Sequence, residues 1–227
     1  MKKKVGIVVA MYNESASIKE VLQNLKEIRP DDTIIVVDDG SKDNCYDIVL
    51  EVEGIHCLRH AINLGQGAAL QTGIEYAKRL GVDYVVTYDA DGQHDPHDIE
   101  PFEKEMQRGN YDIILGSRFL GEAINMDPAK QYILKLSIWF GYVFGGLKLT
   151  DSHNGFRMIN IEKFPEFEMK HNEMAHASEV IDIIREHKLS YKEMPCTIKY
   201  TEYSMQKGQS MSNSINIMVQ YLLGKIK

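Results

Sequence analysis

The chain has 227 residues, 33 acidic against 26 basic, and a net charge of −7. That length suits one large domain, or one domain with an extension, able to bury roughly three quarters of its unfolded surface. The acidic balance argues against a general nucleic-acid binder, and no window offers the roughly 20 uninterrupted apolar residues of a membrane span. Cys45, Cys57 and Cys196 are scattered and lack metal-ligand spacing, so they read as ordinary thiols in a reducing compartment. The start MKKKVGIVVAMYNE is basic, but its apolar run is too short for a signal peptide, and a cytoplasmic protein is expected.

Val5–Ala10 reads as a first buried strand, and Met11–Ser15 as a turn with Asn13 and Ser15 as helix caps. Ile18, Val21, Leu22, Leu25 and Ile28 recur at helical spacing until Pro30. Thr33–Val37 is a second strand, followed at once by Asp38, Asp39 and Gly40. Asn44–Val52 reads as a short helix and Ile55–Leu58 as a third strand. After the turn Asn63–Gly67, Ala68–Leu80 is helical, with Ala69, Gly73 and Ala77 as a small-residue stripe for close packing on a sheet. Tyr84–Tyr88 is a run of β-branched and aromatic residues that suits a strand buried on both faces. Asp89, Ala90, Asp91, Gly92, Gln93, His94, Asp95 and Pro96 make the turn after it. His97–Arg108 is a charged helix and Tyr111–Leu115 a strand, ending in Gly116, Ser117, Arg118 and Phe119. Strands alternating with helices indicate a parallel doubly wound α/β sheet.

Beyond Gly121 the pattern changes. Gln131–Leu149 is apolar and aromatic but carries Lys135 and Lys148. Thr150–Ile159 reads as a turn and short strand, Met174–His187 as a helix, Tyr191–Tyr200 as a strand, and Ile215–Ile226 as a helix with one apolar stripe. The expected division is a catalytic domain over 1–210 and a helical extension over 211–227.

Asp89 and Asp91 lie just outside the carboxyl end of a buried strand, where open α/β sheets bind ligands. Two close carboxylates repel, and a hard divalent cation, Mg²⁺ or Mn²⁺, relieves that repulsion while sharing substrate phosphates. In a parallel sheet the turns Tyr12–Glu14, Asp38–Asp43, Asp89–Asp95 and Ser117–Arg118 emerge on one edge. That geometry gathers Glu14, Asp38, Asp39, Asp89, Asp91 and Arg118 around one crevice. No turn matches the P-loop, and no G-x-G-x-x-G follows the first strand.

The stretches VVDDGSKDN (Val36–Asn44), NLGQGAALQTGI (Asn63–Ile74), DADGQHDP (Asp89–Pro96), GSRF (Gly116–Phe119) and DSHNGFRMI (Asp151–Ile159) occur in this order. Together they resemble the inverting family 2 glycosyltransferases of the GT-A fold, over roughly residues 4 to 210. Within that family the chain is similar to dolichyl- and polyprenyl-phosphate sugar synthases and to bacterial surface-polysaccharide enzymes. The resemblance implies a mixed, mostly parallel doubly wound central sheet flanked by helices, with a Rossmann-like nucleotide-binding half. It implies a UDP- or GDP-linked sugar donor held by Tyr12, Glu14, Asp38, Asp39, Gly65, Asp89 and Ala90. It implies a metal at Asp89, Asp91 and Gln93, and phosphate contacts at Ser117, Arg118, Arg157 and Lys207. Met11 stands where the family often has proline, and Gln66 where many members have lysine or arginine.

The acceptor decides whether a base is needed. A phosphate monoester is already anionic, and Arg118 and Arg157 suit it because guanidinium forks match phosphate oxygens. A sugar hydroxyl must lose a proton, and Glu179 or Asp151 is the candidate base. Each has a plain alternative, a helix-dipole carboxylate for Glu179 and a turn cap for Asp151. His94 could steady the metal loop, but histidines in turns are more often exposed and idle; His153 and His176 stand alike. Tyr203, Lys207 and Gln209 suggest a loop closing over the diphosphate, or a mobile surface loop. The aromatic stretch Tyr132–Leu149 fits a helix on the inner face of a membrane, a core helix, or the seam of a homodimer. A polyprenyl-phosphate or glycan acceptor, docking peripherally or with a membrane partner, leads. A non-catalytic sugar-nucleotide-binding subunit of a membrane assembly is the reading from a different class.

Overall fold

The computed structural model describes residues 3–151, 154–163 and 176–201. Seven strands form one sheet: β1 (Val5–Met11), β2 (Thr33–Asp38), β3 (His56–Arg59), β4 (Tyr84–Asp89), β5 (Ile113–Ile124), β6 (Arg157–Asn160) and β7 (Tyr191–Lys199). Among the described residues six α-helices flank it: α1 (Ile18–Ile28), α2 (Cys45–Leu50), α3 (Gln66–Arg79), α4 (Ile99–Gly109), α5 (Pro128–Gly145) and α6 (His176–Glu186).

The strand order is β3-β2-β1-β4-β6-β5-β7. All neighbours are parallel except β6, which runs antiparallel to both β4 and β5. Because β6 reverses direction between them, β5 points the same way as β4. The ends of β1, β2 and β4 are also level, since Met11 pairs with Asp38 and Ala10 with Asp89. The turns after β1, β2 and β4 therefore emerge on one edge, at the switch point of an open sheet.

Alternation along β1 divides the core. Val5, Ile7, Val9 and Met11 pack with α1 and α4 on one face, and Val8 packs with α3 on the other. The predicted apolar face of α1 is buried at Ile18, Val21, Leu22 and Leu25. The small-residue stripe of α3 lies on the sheet as expected, with Ala69, Gly73 and Ala77 all buried. A Cβ added at Gly73 would sit 2.3 Å from Val8 Cγ1. Helix propensity favours alanine there by about 1 kcal/mol. Overpacking against a stiff β-branched strand residue costs roughly 1–3 kcal/mol. The clash dominates, so Gly73→Ala is expected to lower stability by about 1–2 kcal/mol in urea unfolding. An unchanged or higher midpoint would mean that α3 can move off the sheet freely.

Several elements depart from expectation: the residue preceding α1 is Ser17 rather than Asn13 or Ser15, and α5 spans Pro128–Gly145 rather than Gln131–Leu149. Helix α3 begins at Gln66, so Gln66 and Gly67 are helical rather than part of the turn. Strand β5 runs on through Ser117 and Arg118 to Ile124, with a register break against β7 between Ser117 and Glu122. Such bulges re-aim side chains beside functional sites. The expected 211–227 extension lies outside the described residues.

Candidate active site

The turns after β1 and β2 are tied together. Asn13 Oδ1 accepts from Lys42 N at 2.8 Å, Asn13 N donates to Ser41 Oγ at 2.9 Å, and Ser15 N donates to Asp43 Oδ2 at 2.9 Å. Tyr12, beside them, is partly exposed. Asp38 is buried: Oδ1 accepts from Ser41 N at 3.0 Å, and Arg59 Nε lies 3.0 Å from Oδ2, close enough for an ion pair though not aligned as a hydrogen bond. Asp39 holds the turn before α3. Its Oδ1 accepts from Leu64 N at 2.9 Å and its Oδ2 from Gly65 N at 2.7 Å.

That turn leads straight to the acidic one. Gln66 Nε2 donates to Asp89 Oδ1 at 2.8 Å, and His94 Nε2 lies 2.9 Å from Asp89 Oδ2. The backbone of Gly155 passes so close that a Cβ there would lie 2.8 Å from Asp89 Oδ2. Ser17 Oγ donates to the Ala90 carbonyl at 2.8 Å, joining the acidic turn to the start of α1. Asp91 Oδ1 accepts from Gln93 N at 3.0 Å, and the Gln93 carbonyl accepts from Lys199 N of β7 at 2.8 Å. Burial, then the neighbouring Asp89 carboxylate and Glu14, push the Asp91 carboxyl up to about 6, against the pull of Gln93 N and His94.

Cations stand across from this pair. Arg118 sits at the β5 register break and is buried. Its Nε donates to Asp151 Oδ2 at 2.6 Å and its Nη1 to the Tyr200 hydroxyl at 2.7 Å. Burial lowers the Arg118 pKa, and Asp151 and Tyr200 more than reverse that. Lys130, in the first turn of α5, lies 4.5 Å from the Tyr200 ring centre. Burial and then Arg118 push its pKa down, while Asp91 and Asp127 oppose them. Arg157, at the start of β6, is 4% exposed and lines a small cavity with Leu115, Leu149, Asp151, Asn154 and Val180. Burial pushes its guanidinium down to about 10, with Asp89 and then Asp151 opposing.

Residues 6–167 match the sequence model of glycosyl transferase family 2. The chain belongs to that family. It is a glycosyltransferase. An uncharacterized protein of Methanocaldococcus jannaschii is 36% identical over 99% of this chain and 93% of its own length. The UDP-N-acetylglucosamine–dolichyl-phosphate N-acetylglucosaminyltransferase of Methanococcus voltae is 33% identical over 99% of this chain and 97% of its own. Among solved structures, glucosyl-3-phosphoglycerate synthase of Mycobacterium tuberculosis, in complex with Mn²⁺, UDP and glucosyl-3-phosphoglycerate, superposes with a TM-score of 0.72. That alignment covers 97% of this chain and 77% of the other at 12% identity, which establishes the shared GT-A fold. The mixed, mostly parallel sheet expected for family 2 is thus the one observed.

In this family 2 enzyme Glu14, Asp89, Asp91, Arg118, Asp151 and Arg157 occupy one neighbourhood, as their mutual electrostatic influence shows. Ser117 is within β5 rather than in a turn, and its Oγ accepts from Leu120 N and from the Thr150 hydroxyl. Asp151 is the counter-ion of Arg118. His94 is not exposed: it is 6% exposed, with its ring packed 5.2 Å from Tyr88 and 5.3 Å from Phe156. Gln66, where lysine or arginine is common, supplies Asp89 with a neutral donor. Glu179 falls in the first turn of α6, but its side chain, like His153, Tyr203, Lys207 and Gln209, lies outside the described residues. Sequence reasoning missed Lys130 and Tyr200. The signal available for Lys130 was weak, since a lysine near the start of an aromatic helix reads first as a solvated flank.

Proposed function

We propose that this glycosyltransferase moves a sugar, with inversion, from a UDP- or GDP-linked donor to polyprenyl phosphate, in cell-surface glycan synthesis. The observation that carries this reading is the pairing of a self-repelling carboxylate pair, Asp89 and Asp91, with the cations Arg118 and Lys130 at one sheet edge. The Methanococcus voltae relative is named for a dolichyl-phosphate acceptor, and that of Micrococcus luteus, 28% identical over 66% of this chain, for an undecaprenyl-phosphate one.

The donor set fits Mg²⁺ or Mn²⁺. Among the described residues no three His, Cys, Asp or Glu side chains form a ready metal cage. Such ions are commonly held by one or two carboxylates plus substrate phosphates, so Asp89 and Asp91, with Gln93, suffice. Burial and then the Asp89 carboxylate raise the Asp91 carboxyl, and a cation held between the two would relieve both. Bound there, the ion would stabilise negative charge on the leaving diphosphate. The chain's own groups do the rest. Tyr12, Glu14, Asp38, Asp39, Gly65 and Ala90 place the nucleoside; Arg118, Lys130, Arg157 and Ser117 place the acceptor phosphate. Asp151 Oδ2 already accepts from Arg118 N, Arg118 Nε and Asn154 Nδ2, which suits a counter-ion better than a base. A phosphate acceptor needs no base.

Helix α5 supports contact with the cytoplasmic face of a membrane. Tyr132 is 72% and Trp139 60% exposed, beside exposed Leu136 and Tyr142 and the exposed Lys135. Among the described residues no helix is long and apolar enough to cross a membrane. A homodimer seam on this helix is the competing use.

The test is transfer from a panel of UDP- and GDP-sugars to a short polyprenyl phosphate, with Mn²⁺ and with EDTA. Product of inverted anomeric configuration is expected with Mn²⁺ and none with EDTA, and Glu179→Gln should retain most of the rate. Full activity in EDTA, or transfer only to sugar hydroxyls with Glu179→Gln inactive, would overturn the reading.

A further inference from the structure

We propose that His60 makes the nucleoside site selective for a base offering one ring N–H, the imide of a uracil-type ring, over guanine. This rests on the proposed role of Asp39 in placing the nucleoside, taken here to be acceptance of a hydrogen bond from its base.

The argument counts acceptor positions. An ionised carboxylate has about four lone-pair sites and donates nothing. Asp39 is 2% exposed, so its unused sites decide what a ligand can bring. Oδ1 takes two donors, Leu64 N at 2.9 Å and His60 Nδ1 at 2.7 Å. Oδ2 takes Gly65 N at 2.7 Å. One acceptor position, on Oδ2, is left without a donor among the described residues.

His60 is fixed in that role. Its Nε2 lies 3.0 Å from the Thr72 hydroxyl of α3, and its backbone N donates to the Asp38 carbonyl at 2.8 Å. Since the carboxylate only accepts, the ring proton between His60 and Asp39 belongs to Nδ1.

Guanine presents two donors side by side, N1–H and the N2 amino group, and pairs with a carboxylate through both oxygens. Here that pairing would displace His60 or Leu64, or leave a buried guanine donor unmatched. Uracil and thymine present a single imide N–H between two carbonyls, which the open position on Oδ2 can accept.

The test is calorimetric titration of the full chain with UDP, dTDP and GDP in the presence of Mn²⁺. UDP or dTDP is expected to bind at least about tenfold more tightly than GDP, and the comparison of those two tells uracil from thymine. His60→Ala frees a position on Oδ1 and should shrink the preference severalfold. His60→Gln, which keeps a side-chain N–H, should preserve it. Asp39→Asn should weaken every nucleotide. GDP binding as tightly as UDP to the wild type overturns the proposal, whatever the variants do to folding. So does an unchanged preference in a folded His60→Ala protein. Asp39→Asn with unaltered UDP binding, or no nucleotide binding at all, removes the base reading itself and the proposal with it.

Discussion

Asp91→Asn is expected to reduce sugar transfer by at least about a thousandfold and, in metal-free protein at neutral pH, to raise stability rather than lower it. The two effects have one cause. Burial and the adjacent Asp89 carboxylate push the Asp91 carboxyl up to about 6 in the folded chain. In the unfolded chain an aspartate titrates near its ordinary value of about 3.9. The folded state therefore binds the proton more tightly, and stability falls as pH rises between those two values. Above the upper one the folded protein carries the full penalty of a desolvated charge, on the order of 3 kcal/mol. Asparagine keeps the shape and cannot ionise, so the penalty disappears and the dependence between pH 4 and 6 flattens. Adding Mn²⁺ and UDP should reverse the ranking, because a ligand that binds only the folded wild type stabilises it by mass action. Thermal unfolding of both proteins at pH 5 and pH 7, in EDTA and with Mn²⁺ plus UDP, reads each part. A variant less stable than wild type in EDTA at pH 7 would mean that Asp91 is a structural carboxylate.

Asp89 and Asp91 could be located from sequence because Tyr84–Tyr88 is apolar enough to demand burial on both faces and Gly92 and Pro96 end the strand. The turn after it must then lie at a sheet edge. The same logic placed Glu14, Asp38 and Asp39, whose strands are short apolar runs with abrupt polar ends. What composition does not encode is strand direction. Nothing in Arg157–Asn160 announces that β6 runs against its neighbours, yet that reversal sets Arg157 close to Asp89. Nor does the local sequence mark the β5 register break, which is created by pairing with the distant β7. His94 was misread for a related reason. Its ring packs on Tyr88 of β4 and on Phe156, and β7 pairs with its backbone, where Lys199 N caps the Gln93 carbonyl and Ile198 bridges to His94. A turn judged by its own residues looks exposed when its cover is supplied from far along the chain.

Two arginines of similar burial should respond oppositely to the same substitution. Arg118→Met removes the guanidinium that Asp151 Oδ2 accepts from at 2.6 Å and leaves that carboxylate buried beside an apolar chain. Breaking a buried pair on one side costs about 3–5 kcal/mol. Arg157 has no ion pair to its guanidinium among the described residues, and burial holds it down at about 10 against an ordinary 12.5. Keeping that charge inside the fold costs on the order of 3 kcal/mol, so Arg157→Met should be neutral or stabilising by about 1–3 kcal/mol. If both arginines hold the acceptor phosphate as proposed, both variants should lose transfer to polyprenyl phosphate by about a hundredfold or more. Urea unfolding beside the acceptor kcat/KM separates the cases. If Arg157→Met unfolds as readily as Arg118→Met, then Arg157 is a structural cation with a partner in the fold. If it is more stable and inactive, its charge is retained against stability, and an anion that arrives from outside is what satisfies it.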